Sequence, residues 1–198
     1  MLKRAFDIIC SILGLLVLLP LLIVIAVWIK LDSAGPVFFR QQRVGRYGKP
    51  FWIHKFRTMH VDTERAGRLT VAEDPRITRS GRFLRKSKVD ELPQLIDVLL
   101  GKMSLVGPRP EVQEFIDCYP EGVRNEVLAV RPGITDRASI EMVDENAILA
   151  KYSDPRQAYI DHILPVKQDY YLQYVRKHNV LTDIEIIFAT LLKIIKHR

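Results

Sequence analysis

From Ile8 to Ile29 the chain reads IICSILGLLVLLPLLIVIAVWI, without one charged residue, and no other feature constrains its fold as strongly. As a helix these 22 positions would span ~33 Å, enough to cross a bilayer. A secretory signal fits poorly, because the apolar part is too long and no small-x-small cleavage site follows it. Pro20 stands near the middle, where its missing amide and its ring clash kink a helix. Both flanks are basic: Lys3 and Arg4 precede the run, and Lys30, Arg40, Arg43, Arg46 and Lys49 follow it. Basic flanks favour the cytoplasmic side, and here both ends ask for that side. A helix that enters, bends at Pro20 and returns satisfies both constraints. An ordinary kinked span also fits these residues.

The whole chain of 198 residues allows one domain with a real core and little more. Its net charge of +7 points to an anionic partner: nucleic acid, a phosphorylated metabolite or an acidic membrane face. Cys10 and Cys118 are the only cysteines, and Cys10 lies in the apolar run. That argues against a structural disulfide and for a reducing, cytoplasmic setting. No cysteine or histidine has the neighbours of a zinc site. The sequence contains no repeat and no domain linker.

Turn formers and periodicity place the elements after Lys30. Aromatic and β-branched residues around Gly45 and Gly48 in PVFFRQQRVGRYGKPFWIHKFRTM predict short strands or a hairpin. The polar stretch His60–Gly81 predicts a loop with a helical turn. Arg82 to Leu100 reads as largely helical, with Leu92, Leu95, Ile96 and Leu99 on one stripe and Gly101 as the stop. SLVGPRPEV predicts a rigid loop, and VRPGIT a Pro-Gly turn carrying Arg131. Asp154-Pro155 predicts a helix start, in a segment broken again at Pro165. Thr182 and Glu185 have capping-box spacing before an apolar, basic-ended C-terminal helix. Such a helix suits either a membrane interface or simple packing on the core.

The segment LRKSKVDELPQLI sets adjacent carboxylates, Asp90 and Glu91, between a cationic and an apolar stretch. Pro93 requires the following helix to start close to Asp90. Both carboxylates are therefore expected near a helix N-terminus, whose dipole would keep them ionised. Adjacent helical residues diverge by ~100°, so the two are expected to do different jobs. Arg82, Arg85, Lys86 and Lys88 lie close by in sequence. A carboxylate among cations and free amides suits a phosphate substrate with a divalent metal. It could ligate Mg²⁺ or attack phosphorus itself. A helix-capping role for Asp90 fits the same residues.

Five motifs in order carry a resemblance: KRAFDIICSILGLLVLLPLLIVIAVWIKLDSAGPVFFRQQRVG, KFRTM, LRKSKVDELPQL, MSLVGPRP and RPGIT. Together they resemble the bacterial sugar transferase family, the small monotopic phosphoglycosyl transferases. The resemblance implies an α+β, predominantly helical fold. Residues 1–30 would form a re-entrant membrane helix kinked at Pro20. Residues 31–198 would form a compact cytoplasmic catalytic domain with short strands and interfacial amphipathic helices. It further implies transfer of a sugar-1-phosphate from a UDP-sugar to polyprenyl (undecaprenyl) phosphate with release of UMP, initiating surface glycan assembly. Asp90 would be the nucleophile, forming a covalent aspartyl phospho-sugar. Glu91 would hold Mg²⁺, with Asp90 as a second ligand, and Lys55, Arg85, Arg109 and Arg131 would bind phosphate or substrate. The implied place is the cytoplasmic face of the bacterial inner (plasma) membrane, with no nucleic acid partner. Two departures stand out: Leu19-Pro20 where some members have Ser-Pro, and RPGITDRAS where many continue RPGITGWAQ. A rival reading is a non-catalytic, membrane-anchored basic protein that binds anionic lipid or nucleic acid. It leaves the acidic pair and GPRP unexplained.

Overall fold

A computed structural model describes residues 2–61, 74–142 and 145–196 of the chain. The chain is mostly helical with short strands, as expected. The apolar run lies inside one helix of 31 residues, α1 (Leu2–Asp32), which retains Pro20 within it. The helix turns an unusual face outward. Leu13, Leu16, Val17, Leu19, Val24 and Val27 are exposed, whereas Asp7, Ser11, Ile25 and Ile29 are buried against the rest of the protein. An apolar exterior over a partly polar contact face is the reverse of a helix on a water-soluble core.

Polar contacts at the start of α1 are numerous. Lys3 Nζ donates to the Val106 carbonyl (3.1 Å) and to Asp183 (2.5 Å), and Arg4 donates to the carbonyls of Val98 (2.7 Å) and Leu99 (3.1 Å). Asp7 accepts from the Ser104 hydroxyl and the Leu105 amide. At the far end Asp32 accepts from the backbone amide and hydroxyl of Ser80, each at 2.8 Å. Ile25 and Ile29 form a small core there with Phe56 and Leu84.

The hairpin is present as the turn signals predict. β1 (Phe38–Val44) and β2 (Pro50–Phe56) run antiparallel, from the pair Phe38 and Phe56 to the pair Val44 and Pro50. Of the stretch expected to be a loop, residues 62–73 lie outside the described residues. Its far end, Arg79–Gly81, belongs to a helix, α2 (Arg79–Lys86), capped by Thr78, whose side chain accepts from the Gly81 amide.

The stretch Arg82–Leu100 is largely helical as expected, in three pieces: α2, one 3₁₀ turn at Val89–Glu91, and α3 (Gln94–Leu99). Pro93 is the reason. It has no amide to offer the Val89 carbonyl, which bonds the Leu92 amide in a tighter turn instead (3.2 Å). The deeply buried face of α3 is Gln94, Leu95, Asp97 and Val98, not the stripe that a continuous helix would present. Gly101, at φ +75°, ends it as predicted.

SLVGPRPEV and VRPGIT are not merely a loop and a turn. Three residues of each form a parallel pair, β3 (Ser104–Val106) and β4 (Gly133–Thr135), with Ser104 opposite Gly133. Gly107 lies so close to the Arg131 carbonyl that a Cβ there would sit 2.6 Å from it.

Short helices follow: α4 (Gln113–Ile116), α5 (Glu121–Val127), α6 (Arg137–Glu141), α7 (Glu145–Leu149) and α8 (Pro155–Ala158), the last capped by Asp154 as expected. Pro165 does not break the chain as expected. A π-helical turn, Tyr159–Ile163, leads directly into α9 (Leu164–Lys177), with Pro165 in the first turn. The main core gathers Phe115, Tyr119, Tyr159, Leu164 and Tyr171 between these helices and α9. α10 (Val180–Lys196) closes the chain. Its cap is Asn179, whose side chain accepts from the Thr182 amide (3.0 Å), and not the Thr182–Glu185 box. Asp183, inside that motif, is buried and binds Lys3 and the Tyr174 hydroxyl.

Candidate active site

The acidic pair owes its position to a change of backbone direction. α2 ends at Ser87, whose hydroxyl donates to the Phe83 carbonyl (2.8 Å). Lys88 then takes φ +58°, a left-handed conformation rare outside glycine. Val89 packs on the small core beneath α1. Asp90 and Glu91 follow on the 3₁₀ turn and face different neighbours, as their adjacency requires.

Glu91 is fully engaged. Lys55, from β2, donates to it at 2.7 Å, and Arg109, from the GPRP segment, donates through both terminal nitrogens. Asp90 is buried, and its Oδ1 has no hydrogen-bond partner among the described residues. The Arg85 Nε donates to the Thr58 hydroxyl (2.9 Å), and its charge acts on Asp90. Lys88 adds a third positive charge to Lys55 and Arg85 around that carboxylate.

The two carboxyl groups titrate in opposite directions. Burial raises the pKa of Asp90, the Glu91 charge raises it further, and Lys55, Lys88 and Arg85 oppose the rise. Burial also pushes Glu91 upward, but Arg109 and Lys55 outweigh it and hold Glu91 well below the ordinary range. The helix-dipole expectation is thus corrected. The pair sits on a 3₁₀ turn before a six-residue helix, and burial and side-chain charges set its titration.

The fold therefore gathers five of the predicted residues, Asp90, Glu91, Lys55, Arg85 and Arg109, on one site. It does not add Arg131 to them. Arg131 Nε donates to the Gly101 carbonyl (2.8 Å), and the charges it meets are Arg4, Arg46 and Asp7. Arg82 and Lys86 point to solvent.

Sequence reasoning missed a buried layer behind the site. Arg43 donates to the Pro110 carbonyl (3.1 Å) and lies 3.9 Å from Glu111. Glu111 accepts from the Tyr159 hydroxyl (2.7 Å), which in turn accepts from Lys167 (3.2 Å). Asp136 caps α6 through Ser139 and lies close enough to Arg109 for their charges to interact. Strand alternation could have found Arg43. In the observed register Arg43 and Lys55 share one face of the hairpin. Glu111 and Asp136 have no such signal.

For a divalent cation the protein offers two hard-oxygen carboxylates. Among the described residues no cluster of three or more His, Cys, Asp or Glu side chains could hold a metal alone. The unpartnered Asp90 oxygen fits such an ion, and Glu91 would have to exchange a cationic partner for it. Mg²⁺ bound by one or two carboxylates plus substrate phosphates is a common arrangement. The site can thus offer a desolvated nucleophilic or ligating oxygen beside fixed positive charge.

Comparison with known proteins places this arrangement. Residues 1–197 match the family described as bacterial sugar transferase. A UDP-glucose:undecaprenyl-phosphate glucose-1-phosphate transferase of Escherichia coli (strain K12) is 40% identical, over 98% of this chain and 40% of its own length. An undecaprenyl-phosphate glucose phosphotransferase of Komagataeibacter xylinus is 41% identical, over 96% and 35%. The exopolysaccharide production protein PSS of Rhizobium leguminosarum bv. phaseoli is 40% identical, over 96% and 92%. The chain thus spans less than half of the first two relatives and nearly all of the third.

Proposed function

Because the chain belongs to the bacterial sugar transferase family, we propose that it transfers a sugar-1-phosphate from a UDP-sugar to undecaprenyl phosphate, as the first step of a surface glycan. The observation that carries this reading is the buried, unpartnered Asp90 oxygen beside a wall of cations. A carboxylate stripped of water and hydrogen bonds is a stronger nucleophile, and the cations offset the repulsion that an anionic phosphate would meet.

In the first half-reaction an Asp90 oxygen attacks the β-phosphorus of the UDP-sugar. The bond from that phosphorus to the bridging oxygen breaks, and UMP leaves with the oxygen. The sugar phosphate is now an acyl phosphate on Asp90. In the second, an oxygen of undecaprenyl phosphate attacks the same phosphorus and the Asp90 carboxylate departs. Arg109 and Lys55 hold Glu91 rigid and lend charge to the diphosphate. Arg85 lends its charge to the Asp90 carboxylate as well. Mg²⁺, held by Asp90 and Glu91 with substrate oxygens, would supply Lewis-acid neutralisation of the phosphates.

The lipid substrate requires a site at membrane height. Helix α1, read as re-entrant at Pro20, would hold it at the cytoplasmic face of the bacterial inner membrane. Both ends of α1 bind the same catalytic body, through Lys3, Arg4 and Asp7 at one end and Ile25, Ile29 and Asp32 at the other. A helix crossing a hydrocarbon core of about 30 Å would leave one end on the far side from that body. The outward apolar residues would then enter one leaflet.

The test is a screen of UDP-sugars for UMP release, with undecaprenyl phosphate and Mg²⁺, alongside intact-mass analysis without acceptor. The wild type should gain one sugar phosphate on Asp90. Asp90→Asn should give neither adduct nor turnover while staying in the membrane fraction. Turnover by that variant would overturn the assignment.

A further inference from the structure

The cations around the site are not equally free. Lys55 and Arg109 are both bonded to Glu91, and Arg43 to the Pro110 carbonyl. Arg85 has its Nε on Thr58. Lys88 differs. It is exposed, and among the described residues its ammonium makes no ion pair or hydrogen bond. Its backbone is in the left-handed region at φ +58°, ψ +15°. Strain of this kind persists where the surroundings impose it, often at functional positions. Here the left-handed residue stops α2 and sends Val89 toward α1. Asp90 then turns into the protein while the Lys88 side chain stays at the rim.

That rim is the edge shared with the membrane helix. Val89 packs against the cluster that Ile25 and Ile29 of α1 form with Phe56 and Leu84, and on α2 the exposed Phe83 ring meets Trp28 of α1 with centroids 5.5 Å apart. Thus the acidic pair has buried cations engaged by Glu91 and one exposed, unpaired ammonium, next in the chain to the residue that packs on the cluster beneath α1. A phosphate arriving from outside meets the exposed one first.

We propose that Lys88 is the docking cation for the phosphate of the lipid acceptor, presented beside Asp90 by its left-handed turn. This rests on the transfer reading above. A phosphate monoester carries up to two negative charges and must approach a carboxyl-bound phosphosugar that is also anionic. A mobile ammonium at the entrance lowers that repulsion without holding the product tightly. The donor, by contrast, is served by the inner bank.

The experiment uses the full chain in nanodiscs, with the UDP-sugar that gives most UMP. Two quantities are read: the UMP burst without acceptor, and the KM for undecaprenyl phosphate. Lys88→Asn removes the charge and tolerates the left-handed backbone. Lys88→Arg keeps the charge. Lys88→Asn should raise the acceptor KM at least tenfold, a larger factor than any slowing of the burst that follows from losing its charge near Asp90, and Lys88→Arg should keep the acceptor KM near wild type. An unchanged acceptor KM in Lys88→Asn would overturn the assignment. A slower burst with unaltered acceptor KM would give the cation to the donor instead, overturning it equally. Absence of any burst in the wild type would remove the transfer reading itself, and this inference with it.

Discussion

Asp90 and Glu91 share a 3₁₀ turn, yet the protein treats their charges in opposite ways. Asp90 has a raised pKa, so its ionised form is disfavoured by folding. Its contribution to stability is best below the ordinary aspartate value of 3.8 and is lost as pH rises through the raised value. At neutral pH Asp90→Asn should therefore unfold at a higher temperature than wild type, by about 2–4 °C for each kcal/mol relieved in a chain of this size. Glu91 is the reverse case. Its pKa is depressed, so its contribution is fully present above the ordinary glutamate value of 4.5 and lost as pH falls through the depressed value. Glu91→Gln leaves Lys55 and Arg109 half-buried without their counter-charge, and breaking such a pair costs about 3–5 kcal/mol. Thermal unfolding of both variants at pH 7 checks the two signs. A destabilised Asp90→Asn, or a neutral Glu91→Gln, would contradict this description.

At the scale of elements, α2 is set by contact as much as by its cap. A Cβ on Gly81 would overlap the Thr58 carbonyl oxygen, so only glycine lets the helix lie against the end of β2. Thr58 also holds Arg85, and the same close approach therefore fixes a cation of the site. Gly81→Ala should lower the unfolding temperature and slow UMP release together, because Thr58 and α2 must move apart. Activity and stability equal to wild type would show that the contact has slack. The hairpin works on the same logic. Its alternation was readable from residue types, and it delivers Lys55 and Arg43 to one face. The break between α2 and α3 was only half readable. Pro93 announced that a helix must start nearby, but not that the turn before it would be left-handed at a lysine.

At the scale of the molecule, α1, proposed as the membrane element, is also a structural one. Its start is tied by Lys3, Arg4 and Asp7, its end by Ile25, Ile29 and Asp32, and both to one body. In the sequence Lys3 and Arg4 look like orientation signals; in the fold they are hydrogen-bonded to Asp183 and to backbone carbonyls. A helix held this way should expose no residue beyond the far side of the bilayer. With Cys10 and Cys118 replaced by serine, a cysteine at Leu19 should resist membrane-impermeant thiol reagents applied from the periplasm. Ready labelling there would show a full crossing.

The sequence alone determined what is local in cause. An uncharged run longer than a bilayer, turn residues around a hairpin, a helix stop at Gly101 and an Asp-Pro helix start each follow from a few adjacent residues. It also named Asp90, Glu91, Lys55, Arg85 and Arg109, because motifs keep their spacing whatever the fold. Tertiary structure decided the rest. GPRP and RPGIT became the ends of a parallel strand pair only because distant segments meet, with glycines at Gly107 and Gly133 permitting the approach. Burial decided which carboxyl group is paired and which is left bare, and the partners met in the fold decided which cation remains free. Charge in a sequence is a property of one residue, whereas its partner and its solvation belong to the folded neighbourhood.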